Sequence, residues 1–105
     1  MTFEDREKAF ERKFERDQEH AFKVRSRKHK LLGLWAAGHL GLHGAQAEAY
    51  AAKLVSLGLH KGGDAVAVDH IVRDFKEKGV KIDRTHLVLE AERCEREATR
   101  ELGGA

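Results

Sequence analysis

The spacing of large apolar residues changes character along the chain. Up to about residue 20 only Phe3, Phe10 and Phe14 follow Met1, and twelve of the first twenty residues are charged, with no Gly or Pro among them. On a helix, spacings of seven and four residues set the three rings within roughly 20° of one line, because each residue advances about 100°. A helix that packs into a domain shows an apolar face at least about 100° wide, so this thin seam predicts a docking arm that enters a groove on another protein. From Leu31 to Ala37 the pattern reverses: Leu31, Leu32, Leu34, Trp35, Ala36 and Ala37 leave almost no polar side, as expected of the central element of a bundle.

Beyond that block, glycine followed by an apolar residue marks three stops, at Gly41-Leu42, Gly58-Leu59 and Gly79-Val80. Glycine accepts the left-handed conformation at a helix end, and the next apolar residue folds back onto the last turn. Three stops predict four helices and an all-α protein. The helix from about Ala45 to Leu57 is expected to bury Ala47, Tyr50, Ala51 and Leu54, and that from Ala65 to Lys78 to bury Val68, Ile71, Val72 and Phe75. The last, Arg84 to Leu102, offers Leu87, Ala91, Cys94 and Ala98, with Glu92/Arg96 and Arg93/Glu97 spaced for ion pairs. Asp64 and Asp83 are expected to cap the third and fourth helices, and Gly44 is a weaker start signal.

Extended backward, the central seam runs Trp35, Leu32, Lys28, Ala21, Phe14, Phe10, Phe3 nearly in phase, so arm and core read as one helix. From Phe3 to Leu40 it would be roughly 57 Å long, against roughly 20 to 28 Å for the other three. They cannot cover it. Residues 1–20 are therefore expected to form a protruding, mobile arm, disordered alone and ordered on binding, and residues 21–105 a four-helix globular domain. Arg6, Lys8, Arg12, Lys13 and Arg16 would add charge-assisted contacts to a partly acidic groove.

Composition narrows the function. A formal net charge of +2 with 36% charged residues is a mixed surface, short of the excess expected of a dedicated nucleic-acid binder. Lys23, Arg25, Arg27, Lys28 and Lys30 form a basic run beside Phe22, but they spread around the helix, so a basic nucleic-acid-binding module ranks as an alternative and not the favoured reading. The longest apolar stretch, Leu31 to Leu42, is broken by Gly33, Gly38, His39 and Gly41 and is too short to insert in a membrane; the charged N-terminus does not read as a signal peptide. The single cysteine, Cys94, falls on an apolar stripe and reads as a buried thiol. His39 and His43 have a one-turn spacing, yet a helix end between them and the lack of further ligands argue against metal. No nucleophile and base pair, phosphate loop or paired carboxylates occur, so neither enzymatic activity nor a cofactor is expected.

Three blocks, Phe3-Glu-Asp-Arg-Glu-Lys-Ala-Phe10-Glu-Arg-Lys-Phe14, Lys30-Leu-Leu-Gly-Leu-Trp-Ala-Ala37 and Ala47-Glu-Ala-Tyr-Ala51, resemble the ζ-subunit ATPase-inhibitor family of bacterial F-type ATP synthases. The resemblance covers essentially the whole chain and is loosest from Lys61 onward. It implies a four-helix regulatory protein whose N-terminal region inserts as a helix between the catalytic α and β subunits, with γ as an optional third neighbour, and stops ATP hydrolysis. Carried over, the inhibitory region is Thr2 to about Gln18, with Phe3, Phe10 and Phe14 as inserted anchors and Arg6, Lys13 and Arg16 pairing with acidic groups. Such a protein would be cytoplasmic and peripheral to the inner membrane through the synthase. Gly38-His39 and Leu42-His43-Gly44 depart from the family's pattern at the end of the first helix. The reading from another class is a helical adaptor or homodimer that uses the Phe stripe for self-association.

Overall fold

Four helices follow the expected breaks: α1 Phe3–His39, α2 Gly44–Gly58, α3 Gly63–Lys78 and α4 Arg84–Glu101. They are seen in a computed structural model that describes residues 3–103; within the first ten residues it describes only the side chains of Arg6, Lys8 and Ala9. Two of the three expected anchor rings, Phe3 and Phe10, therefore lie outside the described side chains. Among the described residues there is no strand, and no helix is long and apolar enough to cross a membrane.

Two of the three glycine stops work as read. Gly41 has φ +77°, and the Leu42 N–H reaches back to the Ala37 carbonyl at 2.9 Å. Gly79 repeats the device with φ +71° and a 2.8 Å bond from the Val80 N–H to the Phe75 carbonyl. These left-handed turns satisfy carbonyls that the helix end would otherwise leave without partners. Asp83 caps α4 as expected, its Oδ1 accepting the His86 N–H at 2.8 Å.

Two expectations need correction. Gly58 is not a left-handed stop; it is the last residue of α2, and it is small because the His29 ring fills the space a side chain there would occupy. Asp64 is not a cap either, since Gly62, with φ +72°, precedes α3 and makes no side-chain cap bond. The Asp64 carboxylate turns instead toward α1, to Lys28 and His29.

α1 packs antiparallel to α2 on one side and to α4 on the other, and α3 closes the bundle against α2 and α4. Leu32 and Ala36 of α1 meet Leu54, Ile71, Phe75, Leu87 and Cys94 in a single core, so the apolar block does form the centre. Gly33 is needed for close approach: a Cβ there would stand 2.7 Å from the Ala51 Cα. Of the residues expected to be buried, Ala47, Tyr50 and Val72 are only half-buried, and the Tyr50 hydroxyl donates to Asp74 Oδ2 at 2.8 Å. On α4 neither expected pair, Glu92/Arg96 or Arg93/Glu97, is seen among the described residues; Arg93 takes Glu90 instead, and Glu97 takes Arg100, each at a spacing of three.

Length disparity sets the outline. α1 has 37 residues, about 55 Å of helix, whereas α2, α3 and α4 have 15, 16 and 18. The molecule extends 63 Å along its longest axis and only 26 and 21 Å across. Its radius of gyration, 17.0 Å, exceeds the roughly 13 Å of a compact chain this long, because the first half of α1 runs on past the bundle.

Candidate partner-binding arm and its root

Every side chain from Glu11 to Glu19 is exposed, and His20 is the first described residue of α1 with any substantial cover. Phe14 is 57% exposed although it lies on the same helical line as the buried Leu32, eighteen residues or five full turns further on. The line is continuous; only the neighbours stop. Arg6, Lys13 and Arg16, the expected charged contacts, are likewise exposed on the arm. The site as described is thus a single helix offering one aromatic side chain and mixed charge, with no internal surface to receive it.

The arm is rooted by polar contacts that the sequence reading did not anticipate. Arg27 holds Glu101 through two hydrogen bonds, Nε to Oε2 at 2.6 Å and a terminal nitrogen to Oε1 at 3.3 Å, joining α1 to the end of α4. Its guanidinium lowers the Glu101 carboxyl below the usual carboxylate range. Lys28, only 8% exposed, places Nζ 3.4 Å from Asp64 and 3.6 Å from Glu95, so one buried ammonium ties α1 to both α3 and α4. His29, 1% exposed, donates from Nδ1 to the Arg25 carbonyl at 2.9 Å and sets Nε2 3.2 Å from Asp64 Oδ1. Lys23 reaches back to Glu19 at 3.5 Å. Two cations of the basic run, Arg27 and Lys28, are therefore tied to other helices, while Lys23, Arg25 and Lys30 are exposed, Lys23 in a surface pair with Glu19 on its own helix.

The remaining chemistry-bearing residues serve packing. Trp35 is flanked by His39, edge-on with ring centroids 4.7 Å apart, and by His86, stacked at 6.2 Å. Asp74 receives Tyr50 and, at 3.0 Å, His70 Nε2, which links α2 to α3. Among the described residues no group of three or more His, Cys, Asp or Glu is placed to hold a metal ion. Cys94 is fully buried, and burial pushes its thiol up to about 11, so at neutral pH it is a protonated packing group and not a nucleophile.

A one-residue signal existed for Lys28, which the seam placed in phase with Leu32, but nothing in the pattern distinguished a buried cation from one at the edge of the stripe. His29 had no such signal. A search among curated proteins finds no match. The model of the family described as ATPase inhibitor subunit zeta matches residues 1–101, arm and bundle together, and the chain belongs to that family.

Proposed function

We propose that this chain inhibits ATP hydrolysis by the F-type ATP synthase by inserting residues 1–20 as a helix at a catalytic α/β interface. Residues 21–105 stay outside as the domain that presents the arm, and γ is a further neighbour. Phe3, Phe10 and Phe14 are the anchors buried in the partner, and Arg6, Lys13 and Arg16 pair with acidic groups around the groove. A wedge at one catalytic interface prevents the subunit closure that each hydrolytic cycle needs, so the inhibitor performs no chemistry of its own and requires no cofactor. Through this contact the protein is held at the cytoplasmic face of the inner membrane without entering it.

The observation that carries the reading is the exposure of Phe14 on a helix continuous with the buried core. An exposed ring on a charged arm gains about 1.5 to 3 kcal/mol when a groove buries it, and nothing in its own fold does so. Deleting residues 2–18 and adding the product to purified synthase tests it: the truncated protein keeps its fold and loses inhibition. An arm-deleted protein that still inhibits would refute the wedge.

A further inference from the structure

We propose that the end of the bundle from which the arm leaves is a second contact with the same partner, in which Phe22, Arg25, His60 and Lys61 form a collar that seats on an acidic rim around the arm's groove. This rests on the inhibitory reading above and names the surface that would add to it.

Continuity of α1 is the first argument. Phe14 and Arg25 lie on one uninterrupted helix, eleven residues and roughly 17 Å apart, so a partner that swallows the arm brings its own surface up to residue 22. Phe22 is 52% exposed. It stands seven residues before His29 and hence on nearly the same stripe, but α2, which covers His29 with Gly58, ends there and leaves the stripe open below.

Charge is the second argument. One turn above Phe22, Arg25 lines a concavity together with His60 and Lys61 from the α2–α3 turn, and all three are exposed. The acid in that concavity, Asp64, is already held by Lys28 and His29, and Glu101 at the tip of α4 is held by Arg27. What remains for a partner is an aromatic ring beside two cations and an imidazole. Aromatic residues and arginine are the types that concentrate binding energy at protein interfaces, and cations beside them select an acidic counterpart.

The test uses full-length Phe22→Ala and Arg25→Glu/Lys61→Glu proteins, whose substitutions lie at exposed positions and leave the unfolding midpoint unchanged. Purified synthase is titrated with each, and recovery of hydrolysis is followed after dilution. With the arm intact, inhibition stays complete at saturation, but the half-inhibiting concentration rises about tenfold or more and recovery accelerates. Collar variants that match the unmodified protein in both measures, while arm deletion abolishes inhibition, overturn the collar and leave the wedge standing. Failure of the unmodified protein to inhibit overturns the wedge itself, and the collar with it.

Discussion

The His29 ring occupies the space where a side chain at position 58 would project. Gly58 is helical and has no positive φ, so alanine there would by propensity alone stabilise α2 by up to about 1 kcal/mol. The contact reverses that sign. Gly58→Ala must displace a ring that is 1% exposed and fixed by the Nδ1 bond to the Arg25 carbonyl, and we expect a net loss of about 1 to 3 kcal/mol in urea unfolding. His29→Ala combined with Gly58→Ala should cost less than the sum of the two single changes, since the second substitution fills part of the hole left by the first. Additive losses would show that the two positions do not share this space.

His70 makes stability depend on pH in a direction its surroundings set. Its Nε2 lies 3.0 Å from Asp74 Oδ2, and Nδ1 is 3.2 Å from a guanidinium nitrogen of Arg73, so Nε2 donates and Nδ1 accepts in a neutral ring. Desolvation lowers its pKa, outweighing Asp74, and Lys53 and Arg73 push the same way while Glu77 opposes. A histidine with a lowered folded pKa binds fewer protons than in the unfolded chain. Stability is therefore complete above the ordinary value of 6.5 and declines as pH falls below it. Urea midpoints between pH 7.5 and 5 should fall for the unmodified protein, with a shallower slope in His70→Gln.

The Arg27–Glu101 pair works at lower pH with its own sign. Because the Arg27 hydrogen bond lowers the Glu101 carboxyl below its ordinary 4.5, the contribution is present above that value and vanishes as acid protonates the folded carboxylate. The pair is solvent-exposed, so the effect is small and weakens with salt. Glu101→Gln should lower the unfolding midpoint at pH 7 and leave it unchanged at pH 2.5, and a carbon-detected NMR titration should place the Glu101 carboxyl below the other glutamates.

Pattern in the sequence carried the helices because each boundary had a local cause. Gly41 and Gly79 take positive φ and Asp83 caps a backbone N–H, all within a few residues of chain. The length of α1 followed from one uninterrupted phase from Phe3 to Trp35, and with it the exposure of Phe14. What stayed hidden depends on residues far apart in sequence. Gly58 and Asp64 each looked like a local terminus signal, yet both are explained by α1, where His29 fills the space beside one and Lys28 and His29 hold the other. A buried lysine such as Lys28 is legible only once Asp64 and Glu95 are known to converge on it from two other helices.

Phe14 and Leu32 lie on one line of α1, and they should separate function from folding. Leu32 is 1% exposed in the core, so Leu32→Ala is expected to cost about 2 to 5 kcal/mol of stability and to weaken inhibition only as far as the protein unfolds. Phe14→Ala removes a ring that touches little of its own protein, and its unfolding midpoint should move by no more than about 0.5 kcal/mol equivalent. Its half-inhibiting concentration for synthase hydrolysis should instead rise roughly 10- to 100-fold, the factor that corresponds to about 1.5 to 3 kcal/mol of lost burial in the partner. The two measurements, thermal unfolding by circular dichroism and a hydrolysis titration, must move oppositely for the two variants. A Phe14→Ala protein that loses stability and retains full inhibition would place that ring inside the protein's own fold and remove the physical basis of the wedge.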